Sequence, residues 1–168
     1  KKRRYFAIGA NRSRQRLLAR IPRASKHRVA TRPGHRRCWH KKGQDLSGKC
    51  DIAISDNPHD IVYGVVYLMT QAEKLELDVY EGAGIGYERR EITVTALHGV
   101  SIDAFTYYAM EIDHLRQPYH WFKEHVLRGA LEHDFPPHYV EHIRATPSLE
   151  DHDPERHHRE LSIYLEKP

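Results

Sequence analysis

Short apolar runs in the first two thirds of the chain have the pattern of β-strands. Tyr5-Phe6-Ala7-Ile8 stops at Gly9, which predicts a buried strand entering a turn. Ile61 to Met69 is rich in Val and Tyr, both typical of strands. The other predicted strands are His35 to His40, Asp51 to Ile54, Glu91 to Leu97, and its hairpin partner Ala104 to Met110.

Helical periodicity appears first at Gln71 to Tyr80, where apolar residues recur among charges before Glu81-Gly82 ends the pattern. Three other helices are predicted: one capped by Asn11 and ended by Pro22, one from Tyr119 to Glu132, and one from Pro136-Pro137 to about Arg144. Residues 147–168 form a polar tail that we expect to be partly mobile. Strands that precede helices without regular alternation predict an α+β (mixed α/β) fold or a mixed barrel, not a doubly wound sheet.

The length of 168 residues fits a single domain, residues 1–168. Apolar runs are too short to cross a membrane, and no secretion signal is recognisable. Two cysteines, Cys38 and Cys50, cannot form a disulfide scaffold, which favours a reducing, cytoplasmic compartment. We therefore expect a cytoplasmic protein with no membrane partner.

Charge is distributed unevenly along the chain. Residues 1–44 hold 16 Lys and Arg and no acid, whereas residues 45–168 carry a net charge of −12. A basic segment can bind nucleic acid or an acidic membrane surface, or can pair with an acidic second half. Because few aromatic residues are spaced among these charges, we expect no nucleic-acid partner. Nucleic-acid binding remains an alternative that predicts affinity falling steeply with salt.

Histidines are numerous, at 14, and suggest a metal site in the C-terminal third. His138 and His142 are four residues apart, so a helix places them on one face. No HExxH or CxxC motif accompanies them, and their stretch is polar. We therefore predict no metal.

Two other catalytic patterns are also unconvincing. Neither cysteine has a nucleophile context, and no Gly-x-Ser-x-Gly elbow is present. Gly82-x-Gly84-x-Gly86 lacks the GxGxxG spacing, and we interpret it as a mobile loop that allows close approach.

Two features remain as candidate chemistry. Backbone N–H groups at Gly9, Ala10 and Asn11 after the first strand are placed to form an anion-binding concavity. Glu81 lies between apolar Val79-Tyr80 and the glycine loop, so we expect a partly desolvated carboxyl group.

In this order, the motifs resemble those of the gamma-glutamylcyclotransferase family, with bacterial members the most similar. The family's YFAYGSN strand corresponds to Tyr5 through Asn11, and its VWGVVY-type strand to Val62 through Tyr67. Its LDxxEG signature with a following aromatic corresponds to Leu77 through Gly82 with Tyr87. Weaker matches are Arg32 through Ile52, Phe122 through Ala130, and Phe135 through Tyr139.

The resemblance implies a small barrel-like mixed sheet with flanking helices. It also implies an enzyme of the lyase type, a transferase in older naming, that acts on a small gamma-glutamyl substrate. The substrate's α-amine attacks its own γ-carbonyl, closing 5-oxoproline and releasing the attached amine or amino acid. No cofactor is implied, because the nucleophile belongs to the substrate, and the oligomeric state stays open.

The same resemblance assigns roles to residues. Glu81 is the catalytic general base and then acid. Where the family has hydroxyl residues at its substrate positions, this chain has Ile8, Ala10 and Phe122. These losses keep open an alternative, a catalytically weak binding module with the same fold. The substrate-binding residues implied are Tyr5, Phe6, Ala7, Ile8, Gly9, Ala10, Asn11, Tyr87 and Phe122.

Overall fold

A computed structural model describes residues 2–8 and 28–165 of the chain. Five strands close into a barrel in the order β1-β5-β2-β6-β7, and β3 pairs with β4 in a separate two-stranded sheet. The strands are β1 (Arg3–Ile8), β2 (Arg28–Pro33), β3 (His35–Lys42), β4 (Gly48–Ile54), β5 (Ile61–Met69), β6 (Tyr87–Ala96) and β7 (Ser101–Ala109). The helices described are α1 (Gln71–Glu81), α2 (His120–Glu132), α3 (Pro137–Arg144) and α4 (Pro154–Ser162).

The barrel closes through one parallel pair. β1 runs antiparallel to β5 along its length, and it meets β7 in parallel where Tyr5 pairs with Phe105. The sheet is therefore mixed, and the predicted α+β fold with a barrel-like mixed sheet is confirmed.

Close backbone packing inside the barrel explains a glycine in β5. A Cβ at Gly64 would lie 2.5 Å from the ring of Phe6 and 2.6 Å from the carbonyl oxygen of Ala7. The buried hydroxyl of Thr106 donates to the carbonyl of Phe6 at 2.8 Å. β1 is thus held from both sides, by β5 and by β7.

The strand predictions were most accurate where the apolar run is continuous. β5 has the predicted bounds, whereas β6 begins at Tyr87, four residues before the predicted start. Residues 88–91 of β6 are all exposed, so hydrophobic alternation does not mark that part of the strand. β2 was not predicted, because only Ala30 of its six residues is buried.

The predicted polar tail contains α4. Asp153 caps this helix by accepting a hydrogen bond from the backbone N–H of Arg156, and Pro154 follows at its first position. Fully buried His125 of α2 makes hydrogen bonds with Glu160 and with the hydroxyl of Tyr164. These polar contacts and the packing of Leu161 against the core hold the helix in place.

The predicted Gly9–Asn11 loop and the helix after Asn11 lie outside the described residues. Within the described part of the chain, no helix has the length and apolar character needed to cross a membrane.

Candidate functional site

Helix α1 carries Glu81 as its last residue. The helix begins with a capping box, in which the Thr70 hydroxyl accepts from the backbone of Glu73 and the Glu73 carboxylate accepts from the backbone of Thr70. Its buried positions are Lys74, Leu77 and Glu81, spaced three and four residues apart. That spacing places all three on the face that packs against the protein, and Glu81 is only 7% exposed.

Burial of Glu81 therefore follows from the helix face and not from its neighbours in sequence. Val79 and Tyr80 are 83% and 52% exposed. The expectation that Glu81 is shielded was right, but the reason given, shielding by Val79 and Tyr80, was wrong.

The glycine segment after Glu81 is a compact turn. Gly82 has φ of 63°, the left-handed conformation that ends many helices, and its N–H donates to the carbonyl of Val79. Its own carbonyl accepts from the N–H groups of Ile85 and Gly86, at 2.9 and 3.0 Å. These bonds fix the path of the chain between Glu81 and Tyr87.

Asp78, one turn before Glu81, joins α1 to the barrel. Its Oδ1 accepts a 2.6 Å hydrogen bond from the hydroxyl of Tyr107 in β7. Its Oδ2 accepts from Lys74 Nζ and from the guanidinium of Arg89, each at 2.8 Å. Asp78 belongs to the LDxxEG motif, but no role was predicted for it from the sequence.

Burial and the hydrogen bonds around Asp78 shift the pKa values of Asp78 and Tyr107. Burial alone raises the pKa of Asp78, but hydrogen bonds from Lys74, Tyr107 and Arg89 outweigh it and hold the pKa below its usual value. Burial raises the pKa of Tyr107 strongly, and the bond to Asp78 adds to the shift. The negative charge of Glu81 makes a smaller contribution in the same direction.

Aromatic rings surround this region of the protein. The ring of Tyr5 lies 5.7 Å from that of Tyr107, and the ring of Tyr87 lies 6.5 Å from it. Lys41 Nζ lies 5.1 Å from the centre of the Tyr87 ring. The structure thus groups Tyr5 and Tyr87, two predicted site residues, around Tyr107, which was not predicted.

A buried His–Asp pair supports the neighbouring end of β7. Asp51 Oδ1 accepts from the backbone N–H of Ala109 at 3.0 Å, and Asp51 Oδ2 lies 2.9 Å from His40 Nε2. The next residue, Met110, donates its N–H to the carbonyl of Gly86. β4, β7 and the glycine turn are therefore linked.

The predicted residues of β1 point in two directions. Tyr5 faces Phe105 and Tyr107, whereas the ring of Phe6 lies against Gly64. Ala7 and Ile8 are each 2% exposed and pair with Val65 and Gly64. Gly9, Ala10 and Asn11 lie outside the described residues.

Phe122 belongs to a cluster at the start of α2. Its ring contacts that of Trp39 edge-on at 6.1 Å, and Lys49 Nζ lies 4.7 Å from its centre. Lys49 is held by Asp45, whose carboxylate it contacts at 2.6 Å. The role of Phe122 in substrate binding stays a prediction.

The histidine-rich segment does not gather ligands in the described structure. His138 and His142 occupy exposed positions of α3. Across residues 2–8 and 28–165, no group of three or more His, Cys, Asp and Glu side chains is placed to hold a metal ion.

Comparison with known proteins places the fold. The AIG2-like family matches residues 61–143, a range that includes Glu81. A solved gamma-glutamyl cyclotransferase superposes with a TM-score of 0.79 at 25% identity, covering 91% of this chain and 92% of that one. No curated protein sequence matches the chain significantly.

Two further solved structures share the fold at lower identity. An uncharacterised human protein has a TM-score of 0.75 and 24% identity, covering 88% of this chain and 89% of its own. An AIG2-like protein from mouse has a TM-score of 0.52 and 17% identity, covering 71% and 86%. The AIG2-like match and the gamma-glutamyl cyclotransferase structure at 25% identity support a member of the gamma-glutamyl cyclotransferase-like family, and the two structures at lower identity show the shared fold.

Proposed function

We propose that the protein converts a gamma-glutamyl group to 5-oxoproline and releases the attached amine or amino acid, with Glu81 as the general base. Membership of the family supports an enzyme of the cyclotransferase type. The observation that carries the finer proposal is the burial of Glu81 at the end of α1, one turn after Asp78, which accepts from the Tyr107 hydroxyl.

The reaction needs one group that moves a proton twice. An ammonium group has no lone pair, so the Glu81 carboxylate first removes a proton from the substrate's α-ammonium group. The amine nitrogen then bonds to the γ-carbon, and the bond from that carbon to the leaving nitrogen breaks. The proton on Glu81 passes to the departing nitrogen. Glu81 then takes the second proton of the attacking nitrogen, which becomes the ring amide N–H, and passes this proton to the released amine. The amine leaves as an ammonium group and Glu81 is again a carboxylate.

Asp78 is unsuited to this task. Its two oxygens accept hydrogen bonds from Tyr107, Lys74 and Arg89, and its lowered pKa makes it a weaker base. The raised pKa of Tyr107 keeps its hydroxyl protonated, so Tyr107 acts as a donor. We therefore assign Asp78 and Tyr107 to positioning α1 and Glu81 to proton transfer.

The substrate must be held in a folded-back conformation. We propose that the backbone N–H groups of Gly9 to Asn11 bind its α-carboxylate and the developing oxyanion. Buried Ile8 then contributes an apolar wall where the family has a hydroxyl. This favours a less polar pocket than that of typical family members.

A panel of gamma-glutamyl dipeptides and amines, with 5-oxoproline measured by mass spectrometry, tests the proposal. Glu81→Gln should reduce turnover by roughly 10²–10⁴-fold, as expected for a lost general base. Glu76→Gln is the matched control, because Glu76 is an exposed glutamate of the same helix. No release of 5-oxoproline from any substrate, or full activity of Glu81→Gln, would refute the proposal.

The alternative, a weak binding module, is favoured by Ile8 and Phe122 in place of hydroxyl residues. It predicts tight binding of gamma-glutamyl compounds by calorimetry without release of 5-oxoproline. It also predicts that Glu81→Gln leaves that affinity nearly unchanged, whereas the enzyme hypothesis predicts loss of turnover.

A further inference from the structure

A cleft of about 440 Å³ lies between β3, the start of β5 and helix α3. Its volume is in the range of sites that hold small organic molecules. Glu81 is not among its lining residues, which include Arg36, Arg37, Trp39, Tyr63 and Tyr139.

Arg37 is held in this cleft by aromatic rings and not by a counter-ion. Its guanidinium carbon lies 5.0 Å from the centre of the Trp39 ring and 5.4 Å from that of Tyr139. Within the described residues, no carboxylate forms an ion pair with Arg37, and its Nε and Nη1 are buried without a hydrogen-bond acceptor. Buried donors are normally paired in native proteins, so a ligand that binds here would be expected to supply an acceptor for the Arg37 donors.

Tyr139 adds a second donor. The residue is 8% exposed, and its buried hydroxyl oxygen has two donors as neighbours, the Arg37 side chain and the backbone N–H of Tyr63, but no acceptor for its proton in the described part of the chain. Burial raises the pKa of Tyr139 to about 12, so the hydroxyl keeps its proton. Arginine has no acceptor atom, so it cannot satisfy the Tyr139 proton.

The carboxylate of Asp60, which lines the cleft, is not the acceptor for Arg37 or Tyr139. Asp60 Oδ2 accepts from the hydroxyl of Ser55, and Asp60 Oδ1 accepts from the side-chain amide of Asn57. His35 is also occupied, because its ring nitrogens lie at hydrogen-bond distance from the Pro33 carbonyl and the Tyr108 hydroxyl. The cleft is thus rich in donors and positive charge.

We infer that this cleft binds the oxyanion group of a small organic ligand, a carboxylate or a phosphate, with Arg37 as its anchor and Tyr139 as a second donor. An oxyanion supplies several acceptor atoms and a negative charge that pairs with Arg37, which has no counter-ion of its own within the described residues. Its oxygens match the arrangement of the donors on a guanidinium. The rings of Trp39 and Tyr63 offer contact to a flat ligand body.

The test is calorimetric titration of the full chain with benzoate, phenyl phosphate and neutral benzyl alcohol. One or both anions should bind, and benzyl alcohol should bind at least about tenfold more weakly, since it lacks the charge. The anion that binds more tightly identifies carboxylate or phosphate as the preferred group. Equal binding of all three probes, or no binding at millimolar concentration, would refute the inference.

Variants assign the site. Arg37→Gln should weaken anion binding by about tenfold or more, and Tyr139→Phe, which keeps the ring, by about threefold. Arg90→Gln is the matched control, because Arg90 also stacks on a tyrosine, Tyr108, but is not among the residues that line the cleft. If Arg37→Gln fails to fold, the Tyr139→Phe titration decides the outcome. Unchanged affinity in both folded variants, or equal losses in Arg90→Gln, would contradict the assignment.

Discussion

The hydroxyl of Tyr107 donates a 2.6 Å hydrogen bond to the carboxylate of Asp78, which joins strand β7 to helix α1. Asp78 lies one helical turn before Glu81, so this bond fixes the end of the helix that carries the proposed base. Lys74 and Arg89 complete the carboxylate's partners. The position of Glu81 therefore depends on a contact between elements far apart in sequence.

Tyr107→Phe tests this positioning. Removing a hydrogen bond to a charged acceptor should lower the free energy of unfolding by about 1.5 kcal/mol, measured by urea denaturation. Turnover should fall as well, because the end of α1 is less tightly held. A double-mutant cycle with Asp78→Asn should show a coupling of at least about 0.5 kcal/mol. Additive effects would show that the bond does not contribute.

Gly64→Ala tests the close approach of β1 and β5. The added methyl group would overlap the Phe6 ring and the Ala7 carbonyl, at 2.5 and 2.6 Å, so part of the barrel must shift. We expect a loss of about 2 kcal/mol or more in unfolding free energy. Gly86→Ala is the control, since the nearest atom to its Cβ is Lys41 Nζ at 3.6 Å. Similar stability of the two variants would contradict the packing argument.

The acid stability of the chain should depend on Asp151. Its carboxylate is fully buried and accepts hydrogen bonds from Arg156 and from the indole of Trp121. The hydrogen bonds from Arg156 hold the pKa of Asp151 well below its usual value. Because the pKa is lower in the folded state, this contribution is present above about pH 4 and is lost as the pH falls through the folded-state pKa.

Asp151→Asn measures this contribution. The variant should lose about 2 kcal/mol of stability at pH 7 and show a weaker decrease in stability below about pH 4. Glu150→Gln, at an exposed neighbouring position, should behave like the unmodified protein. Denaturation at a series of pH values provides the comparison. A parallel pH dependence in Asp151→Asn would refute the role of Asp151.

Sequence patterns predicted the elements whose signal is local. The continuous apolar run of β5, and the apolar periodicity of α1 with its Glu81-Gly82 end, were enough to predict both elements to within a residue. β2 was not predicted, because its pairing with β5 and β6, and not its own residues, makes it a strand. α4 was not predicted, because Leu161 is the single large apolar residue in its sequence and its hydrogen bonds to α2 are made by polar side chains.

In the candidate site, too, residues with a local sequence signal were predicted and residues placed by tertiary packing were not. Glu81 was predicted from a motif whose residues are adjacent in sequence. Tyr107 was missed because alternation in β7 does not reveal which of its neighbouring tyrosines faces α1. Arg37 lies within the predicted strand His35 to His40 and was given no role, since its position between the rings of Trp39 and Tyr139 arises from the packing of β3 against α3.

Glu81→Asp provides the most specific test of the proposed mechanism. The change keeps a carboxylate but shortens the side chain by one methylene, while α1 stays held by its capping box and by Asp78. Proton transfer requires the carboxylate within hydrogen-bond reach of the substrate amine, so the shorter acid should lose at least about tenfold in kcat with a smaller change in KM. The melting temperature should change little relative to the Glu76→Asp control, in which the exposed glutamate of the same helix is shortened. A fully active Glu81→Asp variant would show that the position of this carboxylate is not decisive, which would contradict its role as the general base.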